Sequence, residues 1–98
     1  MGNYVVELNL GVGRERFFLS GIDDSYAVTP QQRNARQYHN REAAVTAQNM
    51  LLQMGPRKMA SLIRKDSDYD IPLSISVISN ANPDVKDFVS RRKTYSFH

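Results

Sequence analysis

From Ala43 to Met54 the chain carries no charged side chain, and the run stops at Gly55-Pro56. This reads as a helix: Asn40 is a good N-cap candidate, and a glycine followed by a proline ends helices. At about 100° per residue, Ala43, Ala44, Ala47, Met50, Leu51 and Met54 share an arc of roughly 120°. Val45 and Leu52, one heptad apart, fall nearly opposite. A helix that is apolar on two sides needs two covers. The alanines permit close approach to a sheet. The Val45–Leu52 side calls for the following helix or for a partner, including a second copy of the chain, so a homodimer contact is an open expectation.

The sheet is legible on both sides of this helix. Tyr4, Val6, Leu8 and Leu10 alternate with Val5, Glu7 and Asn9, the period of a half-buried strand. Gly11-Val12-Gly13 suits a reversal, residues 14–20 a returning strand, and Gly21-Ile22-Asp23-Asp24 a second turn into a short strand over 25–29. A three-stranded meander over 1–29 follows, then an irregular polar stretch over 30–37. After the first helix, Pro56 opens a second, over 56–65, so that 40–65 is a helical pair. Leu73, Ile75 and Val77 alternate with serines in a later strand over 71–79, where Pro72 suggests an edge position. Asn82-Pro83-Asp84 then resembles the opening of a third helix running to Lys93, with Arg91, Arg92 and Lys93 in its last turn. With 98 residues, the chain forms one domain, 1–98, around one core. The expected class is α+β: a small antiparallel sheet, the meander plus a later strand, packed against two or three helices.

Charge narrows the function. Thirteen Lys and Arg against ten Asp and Glu give a net charge of +3, which excludes a polyanionic mimic of duplex nucleic acid. Arg57, Lys58, Arg64 and Lys65 fall on one arc of the second helix, opposite Met59, Leu62 and Ile63. That stripe serves as a solvated face or as a contact for an acidic or phosphate-bearing partner. Arg33, Arg36 and Tyr38 in the preceding loop are candidates to extend it. Arg14, Arg16, Phe17, Phe18 and Arg41 add further basic and aromatic groups, so a DNA- or RNA-binding module is the alternative. The absence of cysteine removes disulfides and thiolate metal sites. No apolar run approaches the roughly 20 residues of a bilayer crossing, and residues 1–20 lack a signal-peptide apolar core, so a cytoplasmic location without membrane contact is expected.

Chemistry finds few footholds. Asp66, Asp68 and Asp70 match the start of a calcium loop, but Ile71 stands at the turn glycine and Val77 at the bidentate glutamate. His39 and His98 are too few for a structural zinc site. Serines are plentiful, but only His39 is a plausible ordered base, next to a predicted N-cap. Glu7, Glu15, Asp23 and Asp24 are the carboxylates that could pair, Glu7 with Glu15 only in one hairpin register. Gly11-x-Gly13 lacks the later glycine and the helix of a phosphate-binding loop. The expectation is a protein without enzymatic activity, metal or cofactor.

A short meander leading into Ala35-x-x-Tyr38-x-x-Arg41-Glu42-Ala43-Ala44-x-x-Ala47 resembles many small phage and prophage proteins. The resemblance covers about half the chain, to Met54, and carries no functional residue across. It implies an accessory protein of a mobile element that binds and inhibits a host protein or nucleoprotein, anti-CRISPR and other anti-defence inhibitors being one such class.

Overall fold

A computed structural model describes residues 3–10, 15–21, 27–63, 70–79 and 89–95. β1 (Tyr4–Leu10) is the middle strand of a five-stranded antiparallel sheet. β2 (Glu15–Leu19) and β3 (Val28–Thr29) lie on one side of it, and β4 (Ile71–Ser79) and β5 (Val89–Tyr95) on the other. The order is β3-β2-β1-β4-β5. β1 and β4 pair along their length, from Tyr4↔Ser79 to Leu10↔Leu73, so the strand segments most strongly patterned in the sequence form the sheet's centre.

α1 (Arg41–Leu52) and α2 (Pro56–Ile63) complete the fold. Asn40 is extended at φ −134°, ψ 157° and its side chain accepts a hydrogen bond from the Ala43 N–H at 2.8 Å, so the predicted N-cap is formed. The helix starts where Tyr38 forms a bridge with Tyr4, through two 2.8 Å backbone hydrogen bonds, at one end of β1. It finishes at the other end, where Tyr95 of β5 reaches Leu51. Val6, Leu8 and Leu10 of β1, Leu73, Ile75 and Val77 of β4, and Ala44, Ala47 and Leu51 of α1 form the main core, joined by Met59 and Ile63 of α2. On the reverse face of the sheet, Val5, Phe18 and Ala35 form a smaller buried cluster with Ile78 against it. β1 is therefore covered on both faces at its Tyr4 end.

Three expectations are corrected. Val89–Tyr95 is a strand, not the end of a third helix. The outer side of β4 needs hydrogen-bond partners, and the segment's β-branched and aromatic residues suit a ladder that buries Tyr95 to 2% exposure. The helix-opening residues 82–84 lie outside the described residues. β4 is accordingly internal rather than an edge. Pro72 is tolerated because it stands one step beyond the last β1 pair and faces only Thr94 of β5. The buried arc of α1 is also rotated from the predicted one: Gln48 is fully buried, and Met50 is exposed. The Gln48 Nε2 group donates to the Ile75 carbonyl at 2.7 Å, which lets an amide occupy the helix–sheet seam.

Gly55 is not required as glycine at the end of the helix, since it has neither a left-handed backbone nor a crowded Cβ position. A Cβ placed there meets nothing within 4 Å. The stop belongs to Pro56, which disfavours helical geometry in the residue before it. Gly55→Ala is therefore expected to raise stability by about 0.4–1 kcal/mol through the unfolded chain, whereas Leu51→Ala, at a fully buried position, lowers it by about 2–5 kcal/mol. Urea denaturation monitored by circular dichroism measures both.

Candidate functional site

The described residues predicted to form one basic surface lie beyond the two ends of α1. Arg57 and Lys58 are exposed on the first turn of α2. Neither is ion-paired to a described residue. Ser61 is exposed beside them, while Met59 and Ile63 are buried, so the expected division of α2 into polar and apolar sides holds over the helix as described. Arg64 and Lys65 lie outside the described residues.

Arg33, Arg36 and Tyr38 precede α1 and therefore sit at its opposite end, about 18 Å away along a twelve-residue helix. Arg33 is exposed in a 3-10 turn (Gln32–Asn34), where its Nε donates to Gln31 Oε1 at 3.1 Å. Arg36 is half-buried; its Nη1 donates to the Gly21 carbonyl at 3.4 Å and its guanidinium lies 5.0 Å from the centre of the Tyr38 ring. Tyr38 is 8% exposed and belongs to the core. Arg36 and Tyr38 thus pin the loop to the sheet and do not extend the Arg57–Lys58 surface. Val45 and Leu52 are half-buried against the chain's own core. Among the described residues the exposed large apolar side chain is Met50, at 47%.

Met50 marks a feature that the sequence did not disclose. The junction of the two helices forms an open groove of about 670 Å³, lined by Met50, Met54, Pro56, Arg57 and Lys58 together with Gln53 and Gly55. The groove is shaped by how α1 ends. The Gln53 N–H donates to the Asn49 carbonyl at 3.1 Å and the Met54 N–H to Leu51 at 3.1 Å, tightening the last turn. From the sheet, Tyr95 Oη donates to the Leu51 carbonyl at 3.0 Å, and Lys93 Nζ donates to the Leu52 carbonyl while standing 4.8 Å from the centre of the Tyr95 ring. Tyr95 adds a side-chain donor to the Leu51 carbonyl, Lys93 supplies one to the Leu52 carbonyl, and the ammonium opposes the negative end of the helix dipole. Strand β5 thereby locks the end of α1, beside which Met50 of its last turn, Met54 and the two cations of α2 line the groove.

Arg91, Arg92 and Lys93 belong to a strand and not to the last turn of a helix. Arg91 and Arg92 are exposed on β5, and Lys93 is half-buried there. The available signal was the strand-favouring composition of Val89, Thr94 and Tyr95 around the basic run.

The carboxylates do not assemble. Glu7 is opposite Phe18 and Glu15 opposite Leu10, which places the two acids on different faces of the sheet. Glu7 instead accepts from Arg16 at 2.6 Å, and Arg16 also lies 5.6 Å from the Phe18 ring centre. His39 and Asp70 are exposed. Among the described residues no three His, Asp or Glu side chains are grouped to hold a metal ion, and no helix is long and apolar enough to cross a membrane. Gly11, Gly13, Asp23, Asp24, Asp66, Asp68 and His98 lie outside the described residues. In comparison with known proteins, no family model, curated protein or solved structure matches the chain.

The Tyr95 contact gives this end of the molecule a pH signature. Burial withdraws water from the phenol and raises its pKa above the usual 10.0. The folded state then holds the proton more tightly than the unfolded chain, so the stabilisation is complete below about pH 10 and declines as the pH rises through the folded value. Tyr95→Phe is expected to lose about 1 kcal/mol at neutral pH, and its deficit relative to the native protein narrows above pH 10. Urea titrations across that range measure the difference.

Proposed function

We propose that this protein is a non-enzymatic accessory factor of the phage or mobile-element type, which seats its α1–α2 junction on a host protein or nucleoprotein and inhibits it by steric occlusion. It would act in the manner of an anti-CRISPR or other anti-defence inhibitor. The observation that carries this reading is the juxtaposition of Met50, 47% exposed, with the cations Arg57 and Lys58 around one open groove. Methionine is flexible and polarizable enough to fit an irregular partner surface. Methionine and arginine are also enriched at protein interfaces. Cations beside an apolar contact steer the approach of an acidic partner and fix its orientation.

A second reading, a small DNA- or RNA-binding module, draws on Arg91 and Arg92, which are exposed and carry no ion pair to a described residue. The two readings differ in their dependence on salt and on Met50. Phosphate contacts weaken steeply as salt rises, because binding releases counterions, whereas an apolar contact is far less sensitive.

The test is affinity capture from bacterial lysate, with Arg57→Glu/Lys58→Glu and Met50→Ser compared against the native chain. Both variants are expected to fold with stability changes within about 0.5 kcal/mol, and each to reduce capture of the retained partner at least about tenfold, or ~1.4 kcal/mol. Equal capture by all three proteins overturns the reading. Micromolar binding to mixed-sequence DNA or RNA with a steep salt slope, indifferent to Met50→Ser, supports the nucleic-acid module instead.

A further inference from the structure

The two edges of the sheet are unequal. β3 is two residues long and is followed at once by Pro30, so that edge offers almost no ladder to an incoming strand. β5 is seven residues long, pairs continuously with β4 from Ile71↔Tyr95 to Val77↔Val89, and has no further strand outside it among the described residues. Ser90, Arg91, Arg92 and Thr94 are exposed. In an antiparallel strand, alternate residues turn their N–H and C=O groups away from the neighbour already paired. β5 therefore presents an outward row of backbone donors and acceptors.

The side chains on that edge discriminate among occupants. Arg91 shares the helix-covered face with Ile75, and Arg92 shares the open face with Ser74, so cations stand on both sides of the edge. In a two-fold pairing of β5 with its own copy, any register that overlaps most of the strand sets members of the 91–93 basic run against one another. Like charges directly opposite destabilise a strand pair. The same two arginines favour a strand with acidic residues opposite them, one on each face, because adjacent residues of a strand point to opposite faces. Neither arginine is ion-paired to a described residue. Lys93 is already engaged with the Leu52 carbonyl and the Tyr95 ring, so it holds the strand rather than greeting the partner.

We infer that β5 is a strand-addition site that accepts an extended segment of a partner protein carrying two adjacent acidic residues opposite Arg91 and Arg92. Backbone hydrogen bonds supply the attachment and the arginines select the sequence, a mode of recognition known for exposed sheet edges. This site is separate from the helix junction and stands or falls independently of it.

The probe is an acetylated, amidated heptapeptide of threonine and valine with two adjacent central glutamates, added to the ¹⁵N-labelled full chain. Amide resonances of β5 are expected to shift on titration, and its outward amides to exchange more slowly with solvent. A peptide with lysines in place of the glutamates, tested on the native chain, is expected to bind at least fivefold more weakly. So is the glutamate peptide on Arg91→Glu/Arg92→Glu. The same glutamate peptide N-methylated on alternate amides is expected to lose binding, since methylation removes strand pairing and leaves the charge. The Arg57→Glu/Lys58→Glu variant is expected to bind the peptide as the native chain does. Equal binding of the N-methylated peptide, shifts confined to the helix junction, no binding at millimolar peptide, or a native chain that light scattering shows dimerised through β5 would each overturn the inference.

Discussion

The seating of α1 across β1 and β4 governs the rest of the molecule. Ala44, Ala47 and Leu51 bring the helix close to the sheet, with Gln48 bonded to a strand carbonyl in the seam. Its last carbonyls accept from Tyr95 and Lys93. The helix therefore has a fixed start at the Tyr4–Tyr38 bridge and a fixed end against β5. Its length sets the distance between the loop that enters it, with Arg33 and Arg36, and the turn that leaves it toward Arg57 and Lys58.

This geometry separates structural cations from available ones. Arg16 is drawn to Glu7, Arg36 to Gly21 and Tyr38, and Lys93 to the end of α1. Arg57 and Lys58 border the helix groove, and Arg91 and Arg92 stand on the sheet's long edge. A net charge of +3 therefore describes the surface poorly. What matters is which cations already have a neighbour to satisfy them, because a cation held by an intramolecular acceptor is worth little to a partner. The two exposed pairs flank different chemistry: a methionine-lined hollow in one case and an open row of backbone groups in the other.

Much of the fold is legible in residue order. The alternation of Tyr4 to Leu10 and of Leu73 to Val77, the Asn40 cap and the proline stop at 56 each report on a few neighbouring residues, and each corresponds to an element in the structure. The helix predicted to end at Lys93 failed because a basic run suits a helix C-terminus as readily as a sheet edge, and no local signal records that β4 lacks an outer partner. The face of α1 was misjudged for a related reason. A wheel ranks Met50 above Gln48 by hydrophobicity, but the available space at the seam and the Ile75 carbonyl reverse that order.

The sequence alone determined which segments become helix or strand across most of the chain, and which side of β1, β4 and α2 turns inward. Those properties depend on backbone geometry within a turn or a pleat. The tertiary structure alone decided that Tyr38 is a core residue, that Met50 faces solvent, that Arg36 and Arg57 lie apart, and that β5 closes one side of the sheet. These outcomes depend on pairing between residues distant along the chain, such as Leu51 with Tyr95 and Tyr4 with Tyr38, and local periodicity carries no record of such partners.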